Sequence, residues 1–91
     1  MQLEINGRDL VVTEALKAQA QKKLATLDKQ CENATAKLLL YVEKDGQCAE
    51  LTVYLAGKSL RAEAKAADMY EAFDLLVDKM KRQLVKYREQ R

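Results

Sequence analysis

Ninety-one residues give one domain, residues 1–91, with room for a single modest core and none for a separate catalytic domain. A composition that is 48% hydrophobic and 33% charged predicts a folded, soluble chain, and no apolar run approaches the roughly 20 residues of a membrane span. The net charge of +2 is too small for a protein that coats nucleic acid indiscriminately, so a polyanion would have to be met by a local patch.

Gln2 to Asn6 alternates, with Leu3 and Ile5 on one side and Gly7 breaking the run, which predicts a short first strand. The opening Met1-Gln2-Leu3-Glu4-Ile5 lacks the basic start and apolar centre of a secretory signal and predicts a cytoplasmic location. Thr13 stands as an N-cap before a helix in which Leu16, Ala20, Leu24 and Leu27 recur as one buried stripe. Lys22 and Lys29 fall on a flank of that helix and Lys23 at the edge of its apolar face; the helix is expected to end near Lys29 to Asn33. Alternation resumes in a second strand, with Ala36, Leu38, Leu40 and Val42 inward and Lys37, Leu39, Tyr41 and Glu43 outward. Lys44-Asp45-Gly46-Gln47 supplies an Asp-Gly pair that favours a tight hairpin, after which Ala49, Leu51, Val53 and Leu55 continue the buried side in a third strand. Gly57-Lys58 turns the chain again. Leu60, Ala62, Ala64 and Ala66 form the inward set of a fourth strand, small enough to let a helix approach closely.

The last element begins at Asp68, which with Glu71 makes a capping-box-like start. At about 100° per residue, Met69, Phe73, Leu76, Val77, Met80, Leu84 and Tyr87 share one face of a long helix. Its first half carries the acids Asp68, Glu71, Asp74 and Asp78, while residues 79–91 hold six basic residues against the single acid Glu89. The macrodipole accounts for this axial gradient. It does not account for Lys79, Arg82 and Lys86 sharing a stripe of roughly 60° while Lys81 and Arg88 lie on the opposite flank.

The order β-α-β-β-β-α predicts an α+β fold with a four-stranded mixed sheet. A right-handed crossover through the first helix makes strands one and two parallel, and hairpins add the later strands antiparallel. Both helices are then expected to cover one sheet face, leaving Lys37, Tyr41, Glu50, Thr52, Tyr54, Arg61, Glu63 and Lys65 on a solvated one.

Catalytic chemistry finds little support. There is no histidine, Asp74 and Asp78 belong to an exposed polar helix face, and Thr13 has no base beside it. Gly7, Gly46 and Gly57 are isolated, so no glycine-rich phosphate loop exists. Cys31 and Cys48 are read as free thiols, too few ligands for structural zinc. The expectation is a binding module without enzymatic activity or cofactor. Tyr41 and Tyr54 could stack unpaired bases on the open sheet, but topology and the surrounding acids favour cross-strand packing. The stronger candidates are the basic flanks. Lys22, Lys23 and Lys29 with Lys79, Arg82 and Lys86 would form one phosphate-binding surface if the helices pack side by side.

The segment Asp68-Met69-Tyr70, with Ala72, Asp74, Asp78-Lys79, Arg82-Gln83-Leu84 and Lys86, resembles the closing helix of the ribosome hibernation promoting factor family, also called the ribosome-associated inhibitor family. The likeness runs nearly the full length through Met1-Gln2-Leu3, Ile5, Gly7, Thr13-Glu14-Ala15-Leu16, Lys23, Leu27 and Val42-Glu43-Lys44. It implies a fold similar to double-stranded RNA-binding domains. It also implies binding to the small ribosomal subunit and its rRNA, in the channel used by messenger and transfer RNA, with inhibition by occupancy. The family's rRNA contacts map onto Lys23, Lys79, Arg82 and Lys86; Lys22, Lys29 and Arg88 join the candidate set on helix geometry alone. Two residues depart from the pattern: Thr26, where relatives often carry a basic residue, and Leu75, within the basic stripe. Ending at Arg91, the chain looks like the short form, which lacks the dimerisation domain of the long forms. In relatives the short form favours paired, inactive ribosomes together with a separate ribosome modulation factor. The free protein is expected to be a monomer that uses no membrane. Two alternatives are a general double-stranded RNA-binding module and a small protein-interaction domain whose basic stripe meets an acidic partner.

Overall fold

A computed structural model describes residues 1–89. The elements are β1 (Gln2–Gly7), α1 (Glu14–Leu24), a 3-10 segment (Ala25–Gln30), β2 (Thr35–Glu43), β3 (Gly46–Leu55), β4 (Lys58–Ala66) and α2 (Met69–Glu89). The strands lie in the order β1-β2-β3-β4, with β1 parallel to β2 and the two later pairings antiparallel. This is the mixed sheet that the crossover argument predicts.

Local chemistry sets the helix starts. The Leu16 N–H donates to Thr13 Oγ1 at 3.2 Å, and the Glu71 N–H donates to Asp68 Oδ1 at 2.9 Å, so each cap satisfies an otherwise orphaned amide. Leu24, Leu27, Leu38, Leu40, Leu51, Val53, Phe73, Leu76, Met80 and Leu84 form one core between the sheet and both helices. α2 packs over β3 and β4, where Ala62 and Ala64 give it room, and α1 lies alongside α2.

Three local expectations change. The first helix does not run on regularly to residue 29; it tightens after Leu24 into the 3-10 segment. Leu24 and Leu27, three residues apart, are both fully buried, and a repeat of about three residues per turn keeps them on one side. Val42, expected inward, is 52% exposed, because it pairs with Gln47 at the hairpin end. The β2–β3 loop consists of Lys44 and Asp45, since Gly46 already pairs with Glu43. Gly46 is needed for closeness rather than turn geometry: a Cβ there would lie 2.8 Å from Lys65 Cγ. Gly57 serves the other purpose, with φ +75° in the β3–β4 turn.

Candidate nucleic-acid interface

The flank of α2 that faces β4 is built from side chains spaced to meet an edge strand. Lys79 Nζ donates to the Glu63 carbonyl at 2.7 Å, and Gln83 Nε2 donates to the Arg61 carbonyl. Four helical residues rise about 6 Å, and two strand residues about 6.6 Å. The i, i+4 pair on the helix therefore matches alternate outward carbonyls on β4. One turn further, Tyr87 reaches the Ala56 carbonyl at 3.5 Å.

These contacts floor an open groove of about 490 Å³ lined by Arg61, Ala62, Glu63, Lys79, Arg82 and Gln83. Lys86 continues it, with Lys58, Leu60, Gln83 and Tyr87 around an adjoining cleft. The cations of β4 are largely matched by carboxylates. Arg61 bonds Glu50 and lies 3.7 Å from Glu63, while Lys65 lies 2.9 Å from Glu43 and 3.0 Å from Asp45. Hydrogen bonding to Lys65 holds the Glu43 and Asp45 carboxyls below the usual carboxylate range and raises the ammonium in turn. Arg82 and Lys86 differ: both are exposed, and no carboxylate among the described residues pairs with them. The uncompensated charge of the groove therefore comes from Arg82 and Lys86 of α2 together with Lys58 at the start of β4, which is exposed beside Lys86 and also has no carboxylate partner among the described residues. Leu75, 41% exposed on the same stripe, makes an apolar break in it that nothing in the structure explains.

The first-helix cations sit elsewhere. Lys23 Nζ lies 2.8 Å from Asp74 Oδ1, on the α1-facing flank of α2. That flank is about 140° around the helix from Lys79. Lys22 and Lys29 are exposed and without a carboxylate partner among the described residues. The helices do pack side by side, but the two basic groups lie on opposite flanks of α2 and meet only across its exposed ridge of Glu71, Asp78 and Val85. Arg88, exposed in the last turn, falls on the α1 side by helical position. Thr26 is exposed, its hydroxyl donating back to the Lys23 carbonyl at 2.8 Å.

On the opposite face of the sheet, the Arg8 guanidinium lies 4.0 Å from the centroid of the Tyr41 ring, so that aromatic already carries a stacked cation. Cys48, also on this face, is only 3% exposed beside Tyr41 and Lys65. Burial pushes its thiol up, with Glu43 adding to the effect; burial raises the Cys31 thiol as well. Both cysteines are free, and no group of three or more metal-ligating side chains occurs among the described residues.

Sequence reasoning named the basic stripe but missed Gln83, Arg61 and Glu63 as parts of the same groove. The available signal was the position of Gln83, four residues beyond Lys79 and on the side of the buried Ala72.

Comparison with known proteins places this architecture. The family described as Sigma 54 modulation protein / S30EA ribosomal protein matches residues 3–91. A protein of Azotobacter vinelandii named ribosome hibernation promoting factor is 39% identical over 90 residues, 98% of this chain and 84% of the relative. The Escherichia coli K12 protein of the same name is 36% identical, over 98% of this chain and 95% of its own length. Among solved structures, the N-terminal domain of Thermus thermophilus Protein Y superposes with a TM-score of 0.86 at 34% identity, covering 96% of this chain and 99% of that one. A ribosomal subunit interface protein from Coxiella burnetii gives 0.88 at 26% identity, covering 98% and 99%. With the fold, the closing helix and nearly the whole length in agreement, the chain belongs to this S30AE family, the family of the ribosome hibernation promoting factors.

Proposed function

We propose that this protein is a ribosome hibernation factor that binds the small ribosomal subunit in the channel used by messenger and transfer RNA. It blocks translation by occupancy and favours inactive ribosome dimers, acting with a ribosome modulation factor. The observation that carries the reading is the exposed, uncompensated pair Arg82 and Lys86 on the rim of the β4–α2 groove, in a chain whose relatives bear the hibernation name. Such a surface suits phosphate rather than base edges: Arg82 offers a fork of donors and Lys86 a mobile point charge, while the groove beneath is shallow and open. Lys79 adds charge at the same place while its ammonium holds β4, and Lys23, Lys22, Lys29 and Arg88 extend the contact across the helical face. Nothing in this mode of action requires a reaction to be catalysed.

Co-sedimentation through a sucrose gradient at two salt concentrations tests the proposal. The wild type is expected to migrate with small subunits and whole ribosomes in low salt, to be released in high salt, and to shift ribosomes toward dimers when a modulation factor is present. Arg82→Glu/Lys86→Glu is expected to remain at the top of the gradient with an unchanged urea midpoint. Undiminished co-sedimentation of that variant would remove the stripe from the interface. Wild-type protein that stays at the top in low salt would end the ribosome reading.

A further inference from the structure

Lys23 is the first-helix residue that the family resemblance assigns to rRNA, yet its ammonium is already engaged, 2.8 Å from the Asp74 carboxylate. The two side chains are 35% and 58% exposed, so solvent and ligands can reach the pair. Lys22, Lys29, Arg82 and Lys86 carry no such internal partner among the described residues. A phosphate arriving at Lys23 therefore meets a competitor fixed to the neighbouring helix. If the incoming RNA brings only phosphate, it leaves two anions side by side, a repulsion that grows as the contact loses water. An RNA that sets a phosphate on Lys23 and a donor, such as an exocyclic amino group or a 2′-hydroxyl, on Asp74 satisfies both groups at once. Irregular folded RNA can offer that fixed combination at one place; an arbitrary duplex sliding across the surface meets it rarely.

From this geometry we infer that Asp74 is a specificity-determining residue, which screens Lys23 from the phosphates of arbitrary RNA and yields to a folded site that supplies a phosphate and a hydrogen-bond donor together. The inference rests on the reading that the helical face meets rRNA. It assigns opposite signs to the two members of the pair: Lys23 contributes to the chosen partner and little to others, while Asp74 acts against the others.

The test measures binding to an RNA duplex of unrelated sequence and to purified small subunits over a salt titration. It compares the wild type, Asp74→Asn, Lys23→Gln and, as a control, Glu71→Gln. Glu71 is exposed one turn away, has no ion pair among the described residues, and its substitution changes net charge by the same amount. Asp74→Asn is expected to tighten duplex binding by about threefold or more and to steepen its salt dependence by about one phosphate contact. Its preference for small subunits over duplex should fall, while Glu71→Gln should move duplex binding by less than about half as much on a logarithmic scale. Lys23→Gln should weaken small-subunit binding and leave duplex binding nearly unchanged, and circular dichroism with urea midpoints confirms that the exposed substitutions keep the fold. Equal gains from Asp74→Asn and Glu71→Gln would reduce the effect to net charge and overturn the inference, as would no gain from Asp74→Asn. Failure of the wild type to bind small subunits would instead defeat the functional proposal, a result separable from the comparison among variants on the duplex.

Discussion

The ammonium of Lys79 donates to the backbone carbonyl of Glu63 at 2.7 Å, so a residue that sequence assigns to the binding stripe also ties α2 to the edge of the sheet. Together with Gln83 on the Arg61 carbonyl, it fixes the helix along β4 and thereby sets where Arg82 and Lys86 project. Lys79→Met, which keeps the aliphatic stem, and Gln83→Leu should each cost about 1 kcal/mol, read as a lowered urea midpoint without a change in m-value. The pair should also weaken ribosome binding through displacement of the stripe. A double variant with wild-type stability would show that water replaces both bonds without penalty.

Phe73 is fully buried at the centre of the core and makes an edge-on contact with Tyr70, ring centroids 6.3 Å apart. Phe73→Ala should cost about 3–5 kcal/mol, a large share of the roughly 5–15 kcal/mol that stabilises a domain of this kind. The opposite error is also informative. Ala64→Leu places extra volume where α2 lies on β4 and should cost about 1–3 kcal/mol by overpacking. Equilibrium denaturation of both variants checks the pair, and a neutral Ala64→Leu would mean that the helix moves outward freely.

Gly57 and Gly46 should fail differently when replaced by alanine. At Gly57 no atom lies within 4 Å of the added Cβ, but φ +75° is a left-handed conformation, so Gly57→Ala should cost about 1–2 kcal/mol through the backbone alone. Asparagine, which tolerates that region better, should recover part of the loss. At Gly46 the added Cβ presses on the flexible Lys65 stem, so Gly46→Ala should disturb the ion pairs of Lys65 rather than the turn. Thermal melts separate the two cases: loss of pH sensitivity is expected for the second alone.

That pH sensitivity has a definite sign. Glu43 and Asp45 have folded pKa values below their ordinary ones because Lys65 hydrogen-bonds them. Their contribution is present above the ordinary carboxylate values of 4.5 and 3.8 and is lost as pH falls through the lower, folded values. Lys65 is shifted upward, so its contribution is present below its ordinary 10.5 and is lost as pH rises through the raised value. Because its side chains are open to solvent, which screens their charges, the cluster should give a shallow dependence that Lys65→Met flattens at both ends. Urea midpoints taken from acid to alkaline pH check this, and identical slopes for the variant and the wild type would remove Lys65 as the cause.

The sheet was legible because its inward residues alternate without interruption through Ala36, Leu38 and Leu40, then Ala49, Leu51 and Val53, then Leu60, Ala62 and Ala64; all are buried. Val42 continues that alternation in sequence but not in burial, since periodicity reports which side a residue faces and not how far the helices extend over it. The tightening after Leu24 was illegible for a related reason: Leu24 and Leu27 fit an α-helical stripe as well as a 3-10 one. In the candidate interface, the stripe Lys79, Arg82 and Lys86 could be read from helical angles alone. The partners of Lys79 and Lys23 could not, because they depend on the carbonyl of Glu63 and the carboxylate of Asp74, brought close only by tertiary packing. Cys48 gave no signal in sequence of the cover it receives from the strands on both sides.

The strand order has a consequence in time. The β2–β3 and β3–β4 pairings are hairpins whose first contacts, Glu43 with Gly46 and Leu55 with Lys58, join near neighbours in the chain. The parallel pairing of β1 joins Gln2 to Thr35 and Gly7 to Leu40, across the whole of α1 and the 3-10 segment. Loop-closure entropy must be met before such a distant pairing returns any free energy. The three-stranded meander is therefore expected to zip from its turns ahead of the parallel pairing of β1, which must first close a loop that contains α1. The basic groove is built wholly from β4 and α2, so every residue lining it belongs to the locally connected part of the fold and none to the N-terminal strand.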